Sequence, residues 1–203
     1  AITCIAKGLK KGDIVIVETS LPPGTTVYRI KPMLESISGL KADEDFGLAY
    51  SPERVMIGHA VRDIEEEYPK IIGGIGPKSS DVVASLYKII ARRGVIVVSS
   101  PTVAEFEKLA EGVYRDVNIA LANELAKLAN KLGVDFEEAK IAANSQPYCH
   151  LHNPGPGVGG LCIPVYPYLL VYSALAKGVP LNLTITARRI NEEPPKNVIS
   201  LIM

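Results

Sequence analysis

The sequence predicts an α/β fold in which a mostly parallel sheet is followed by an all-helical region built on one long central helix. Three observations carry this. Short apolar segments alternate with helical stretches as far as Ser100, a spacing that implies parallel strands joined by helices. The character of the chain changes at Pro101. Beyond it, apolar residues recur at helical intervals for about thirty residues.

The elements follow in order. The numbering opens at Ala1 inside a helical stretch, Ile2 to Leu9, as expected of a chain whose front is missing; Cys4 is expected on that helix's apolar face. Asp13-Ile-Val-Ile-Val-Glu18 reads as a short strand. Gly24-Thr-Thr26 then opens a helix that Pro32 should kink or shorten. Phe46 to Tyr50, Lys70 to Ile75 and Val95 to Ser99 are three further strands. Between the last two, Ser79-Ser-Asp81 is expected to cap an amphipathic helix to Arg93, with Gly94 as its stop. Thr102 and Glu105 have the spacing of a capping box, and the helix they open runs to Gly133. Its apolar positions are Phe106, Leu109, Val113, Val117, Leu121, Leu125, Leu128 and Leu132. Asp135 should cap a shorter helix to Asn144. A Gly/Pro-rich loop from Asn153 to Pro164 follows, and a last helix is expected from Pro167 to Lys177.

Composition excludes several function classes. Basic and acidic residues balance at 22 each, leaving no basic footprint for nucleic acid. Apolar runs such as Gly94 to Val98 are far too short to span a membrane. No basic segment precedes an apolar one at the start, so nothing suggests secretion. Cys4, Cys149 and Cys162 are odd in number and widely spaced, which points to free thiols and a cytoplasmic location.

Three local patterns are weak. Gly155 to Gly160 literally satisfies G-x-G-x-x-G, but no strand precedes it and no acidic residue follows at the required distance. Gly73 to Ser79 lacks the Gly-Lys-Ser/Thr order of a phosphate loop and reads as a strand-to-helix turn. Cys149, His150 and His152 crowd three possible zinc ligands together without a distant fourth, so no metal is expected. Cys162 is different. It lies between Gly159-Gly160 and Pro164, just ahead of a helix start, where the helix dipole favours thiolate. An isolated cysteine is otherwise a filler of core space. The neighbouring glycines tilt the choice, because they let backbone N–H groups approach an anion.

Five motifs stand in one order and spacing: Glu18 to Thr26, Ser51-Pro-Glu-Arg-Val55, Lys108 through Arg115 to Ala120, Asn123-Glu-Leu-Ala126, and Pro154 to Pro164. Together they resemble the UDP-glucose/GDP-mannose dehydrogenase superfamily, its UDP-N-acetylmannosamine branch most of all. The resemblance implies NAD as cofactor, a UDP-sugar as substrate, and oxidation of a sugar C6 hydroxyl to a carboxylate. It implies that residues 1–101 are the remnant of an NAD-binding Rossmann-like domain, 102–190 a helical domain that forms a homodimer through its long helix, and 191–203 the start of a truncated third domain. It also implies roles. Cys162 is the nucleophile that holds the substrate as thiohemiacetal and thioester. Glu53 is the acid/base carboxylate acting through water, and Ser20 helps to hold that water; both also border the cofactor. Lys108 stabilises oxyanions. Gly157, Gly159, Gly160 and Arg115 contact the substrate. On residue type alone, Glu53 is equally a solvated loop carboxylate and Lys108 a solvated helix lysine.

The sequence departs from the family at three places. Gly112 replaces an Asn one helical turn after Lys108, Tyr166 replaces an Asp four residues after Cys162, and Leu161 replaces a His. Losing an amide and a carboxylate from proton and oxyanion chemistry should cost orders of magnitude in rate. Two function classes follow: a UDP-sugar dehydrogenase with impaired oxidation, or a non-catalytic dimeric module of the same shape.

Overall fold

The structure, a computed structural model, describes residues 1–193. It divides into two compact units, Ala1–Lys108 and Leu109 onward.

In the first unit, β1 (Ile14–Val17), β2 (Gly47–Tyr50), β3 (Lys70–Gly74) and β4 (Val95–Val97) form one sheet in that order. The pairs β1–β2 and β3–β4 are parallel, with Ile14 opposite Gly47 and Lys70 opposite Val95. The pair β2–β3 is antiparallel, with Ala49 opposite Gly74, so the expected parallel sheet is in fact mixed. Alternation of strand and helix could not reveal this reversal, because strand direction leaves no mark on apolar periodicity. The two strands are joined not by a crossover helix but by the short α3 (Ala60–Arg62) and a π-helical segment over Asp63–Glu67.

Helices α1 (Ile2–Gly8), α2 (Lys31–Ser38) and α4 (Pro77–Ile90) flank the sheet. Ala6, Leu34, Leu48, Tyr50 and Phe46 form the main core. Cys4 is exposed on α1, against expectation; Ala6 is the residue that α1 buries. Pro32 breaks nothing. A π-helical turn over Thr26–Ile30 precedes α2 and leaves Pro32 in the first turn of the new helix, where a missing N–H costs nothing. The expected Ser79 cap of α4 is also replaced. The Ser79 amide donates to Asp43 Oδ1 at 2.6 Å, while its hydroxyl accepts from Leu48 N–H.

Helix α5 (Pro101–Leu132) is 32 residues long and is the longest element among the described residues. The second unit contains most of it, with α6 (Phe136–Ala143), α7 (Tyr166–Leu175) and α8 (Asn182–Glu192). Asp135 caps α6 through Glu137 N–H at 2.9 Å. Helix α8 was not expected. Asn191, where the sequence suggested a third segment, is 2% exposed inside this unit, and the rest of that segment, 194–203, lies outside the described residues. Leu109, Tyr166 and Leu170 form its apolar centre.

Candidate active site

Glu53 follows β2 in a turn whose backbone is held on every side. Ser51 N–H donates to Val17 C=O and its hydroxyl to Ile71 C=O at 2.7 Å, tying the turn to both neighbouring strands. Lys70, 6% exposed, donates to Pro52 C=O at 3.1 Å, and Lys108 donates to Glu53 C=O. Arg54 reaches Pro69 C=O at 2.6 Å and stacks over Tyr68, whose hydroxyl returns to Arg54 C=O. With its backbone so fixed, the half-buried Glu53 side chain turns back on its own loop and accepts from Val55 N–H. The structure thus brings Lys108 and Glu53 together. Lys108 is buried, not solvated. Its ammonium meets the carbonyl of Glu53 instead of the carboxylate. Ser20 lies half-buried in the loop after β1.

Glu18 supplies the counter-charge beneath this turn. Its carboxylate pairs with Lys70 at 2.9 Å and accepts from the Tyr87 hydroxyl. Burial alone would raise its pKa, but these two donors outweigh burial and hold it below the ordinary carboxylate value. Tyr87 moves the other way, pushed up by burial and by the Glu18 charge.

Glu105 is the residue that sequence reasoning misread. It is not half of a capping box, since α5 already begins at Pro101. Its carboxylate is fully buried and accepts three bonds: Gly24 N–H at 2.5 Å, Thr26 N–H at 2.8 Å and the Thr26 hydroxyl at 2.7 Å. Burial raises its pKa in spite of those bonds. Only a long-range contact explains it, and no local spacing announces one.

These carboxylates bear on cofactor binding. A dinucleotide diphosphate needs free amides at a glycine turn leading into a helix. Among the described residues of this unit, the turn at Gly24 is filled by Glu105 and the turn at Gly76 by Asp43. A Cβ at Gly76 would meet the Asp43 carboxylate at 2.3 Å. The first unit therefore offers loop ends after β1 and β2 but no open diphosphate cradle of its own.

In the second unit, Cys162 is exposed in the loop ahead of α7. Its carbonyl accepts from Val165 and Tyr166 N–H at 3.0 Å each, so the chain is already turning toward the helix at the cysteine. Gly160, at φ 91°, holds a left-handed conformation that few other residues tolerate. Gly157 and Gly159 lie in the same loop, and Leu161 is 90% exposed. The loop is anchored at its start: Gly155 N–H donates to Asn123 Oδ1 at 2.9 Å, Asn123 donates to Asn191 at 3.0 Å, and Asn191 donates to the Asp116 carboxylate at 2.8 Å. Arg188 pairs with Asp116 at 2.6 Å, both nearly inaccessible to solvent. Arg115 is exposed, next to Asp116 on α5.

Gly112 and Tyr166 are one feature. A Cβ at Gly112 would lie 2.4 Å from Tyr166 Cδ2 and 3.0 Å from its Cβ. The Tyr166 ring, 9% exposed, occupies the space where any side chain at 112 would project. Each departure permits the other.

An α/β unit is thus followed in the chain by a helical unit that carries an exposed cysteine in a glycine-rich loop. The NAD-binding domain model of the UDP-glucose/GDP-mannose dehydrogenase family matches residues 1–91, and the central domain model of the same family matches residues 102–193. The chain belongs to that family, and NAD is the family's cofactor. It is 41% identical over 202 residues to UDP-N-acetyl-D-mannosamine dehydrogenase of Pyrococcus horikoshii, covering 100% of this chain and 47% of the relative. It is also 41% identical to UDP-N-acetyl-D-glucosamine 6-dehydrogenase of Pseudomonas aeruginosa, covering 98% and 47%. The solved structure of the Pyrococcus horikoshii enzyme superposes with a TM-score of 0.92 at 40% identity, over 99% of this chain and 47% of that one. The chain thus spans about half the length of the curated relatives it matches.

Proposed function

We propose that this chain is the thiol-bearing part of an NAD-dependent nucleotide-sugar 6-dehydrogenase that acts on UDP-N-acetylmannosamine or a related UDP-sugar. The observation that carries the reading is the exposed Cys162 in its glycine loop, in a chain that matches the family's NAD-binding and central domains in order. The chemistry needs a thiol. Cys162 adds to the C6 aldehyde to give a thiohemiacetal; loss of a hydride leaves a thioester, and water releases the carboxylate and the free thiol. NAD supplies the hydride acceptor. Lys108 is assigned the oxyanion, and Glu53 with Ser20 the water, both bordering the cofactor; Arg115, Gly157, Gly159 and Gly160 are assigned to the substrate. The relatives' names differ in the sugar, so the substrate class is put no more finely than a UDP-N-acetylhexosamine. Iodoacetamide mapping tests the reading. The 6-aldehyde of UDP-N-acetylmannosamine should slow labelling of Cys162 and leave Cys4 unaffected; equal labelling of Cys162 with and without the aldehyde would sink it.

The Tyr166 ring packed on Gly112 supports a second reading, a non-catalytic dimeric module. In both readings the chain is a cytoplasmic homodimer formed through α5. Phe106, Tyr114, Leu121, Leu128 and Leu132 on that helix are 42% to 67% exposed, more apolar surface than a solvated helix normally shows. No helix among the described residues is long and apolar enough to cross a membrane.

A further inference from the structure

Lys70 opens β3 and is buried, with Nζ 2.9 Å from the Glu18 carboxylate, 3.1 Å from Pro52 C=O and 4.9 Å from the centre of the Tyr87 ring. Desolvating an ammonium is costly, and an apolar side chain of similar length often packs in such a place as well or better. Stability alone gives little reason for a lysine here. What the ammonium adds is direction. Glu18 follows β1 and stands two positions before Ser20, while Pro52 lies in the turn after β2, next to Glu53. Glu53 N–H donates to Glu18 C=O at 3.2 Å, which closes a ring of Glu18, Lys70, Pro52 and Glu53. From α4, the Tyr87 hydroxyl holds the Glu18 carboxylate in place. The reversal of β3 makes the ring possible. Because β3 runs antiparallel to β2, its first residue lies beside the end of β2 that carries Glu53; in a parallel pair it would lie at the opposite end.

We infer that Lys70 is a positioning residue of this site: held by Glu18 and Tyr87, it fixes the turn that aims the Glu53 carboxylate and ties that turn to the loop bearing Ser20. The inference rests on the reading of Glu53 and Ser20 as the groups that handle water, and it needs no turnover by this chain. Lys70 acts through Pro52 C=O, which belongs to the peptide before the Glu53 Cα. Lys108 holds Glu53 C=O, which belongs to the peptide after it. The two peptide planes that flank Glu53 are thus each pinned by an ammonium. Its side chain is left one direction, back toward Val55 N–H. Without the Lys70 ammonium the first plane is free to rotate, and the carboxylate loses that fixed direction.

Amide NMR of the full chain reads that direction. Val55 N–H donates to the Glu53 carboxylate, so its resonance should move in a step as the carboxylate takes up a proton, and Glu53→Gln should abolish the step. Lys70→Met keeps the apolar stem, removes the ammonium and should lose most of the step. Lys70→Arg keeps a cation opposite Glu18 and should recover part of it. Leu34→Ala, in the core at α2, is the control for stability alone: it should unfold at lower urea and keep the step at full size. Should Lys70→Met not fold, Glu18→Gln loosens the same ion pair from its more exposed partner and should show the same loss. A full step in the variant that folds, an equal loss in Leu34→Ala, or no step in the unaltered chain overturns the inference. Loss of the step in Lys70→Met without aldehyde protection of Cys162 would remove the dehydrogenase reading and leave Lys70 as the residue that sets the turn. Protection of Cys162 with the step unchanged in Lys70→Met would do the reverse.

Discussion

At the scale of single residues, Glu105 and Glu18 in the first unit and Gly112 in the second each carry a prediction. Glu105 satisfies two backbone amides and a hydroxyl with two oxygens. In Glu105→Gln one oxygen becomes an NH₂ facing a donor, so a buried group loses its partner. Urea unfolding should show a loss of about 1–3 kcal/mol. Glu18 gives a pH prediction. Its folded pKa is held below the ordinary carboxylate value, so its stabilising contribution is present above that ordinary value and is lost as pH falls through the folded one. Glu18→Gln should therefore flatten the acid limb of the stability profile, and an unchanged limb would refute the assignment. Gly112 reverses an ordinary expectation. Gly→Ala inside a helix normally stabilises by about 1 kcal/mol. Here the Tyr166 ring occupies the Cβ position, so Gly112→Ala should destabilise, and should do so far less in a Tyr166→Ala background. A double-mutant cycle without coupling would show that the two departures are independent.

At the scale of elements, the bonds that matter cross between helices and loops. Asp116, Arg188, Asn191 and Asn123 link α5 to α8 and to the start of the cysteine loop. Arg188→Ala leaves Asp116 buried without its counter-ion and should cost about 3–5 kcal/mol, measured by thermal or urea unfolding. This network also shows where sequence reading stopped. The strands over Ile14–Val17, Gly47–Tyr50 and Lys70–Gly74, the long helix and the Asp135 cap were legible, because periodicity and caps are local. The reversal between β2 and β3, the cap of α4 by Asp43 and the use of Glu105 were not, because each depends on a partner far along the chain. At the candidate site, motif context singles out Cys162, Glu53 and Lys108, and the structure places Lys108 against the Glu53 backbone. The pairing of Gly112 with Tyr166 was invisible as a pairing: two separate departures, more than fifty positions apart, close on each other only in the fold.

At the scale of the whole molecule, the proposed function combines a reactive cysteine loop with slow oxidation, because Gly112 and Tyr166 stand where the family has an amide and a carboxylate. Two measurements bear on its parts. Calorimetric titration of NAD into the chain should show weak or no binding, since Glu105 and Asp43 already occupy the turns that a diphosphate would need; tight binding would contradict that. Sedimentation should show a dimer, and Leu128→Glu, on an exposed position of α5, should shift it toward monomer. The most direct test combines both halves of the claim in one sample: alkylation at neutral pH with peptide mapping, and NADH formation from UDP-N-acetylmannosamine with NAD. The account predicts that the exposed Cys162 is labelled well ahead of the half-buried Cys149 and that no NADH appears. Robust NADH formation abolished by labelling of Cys162, or labelling of Cys162 no faster than of Cys149, would contradict it.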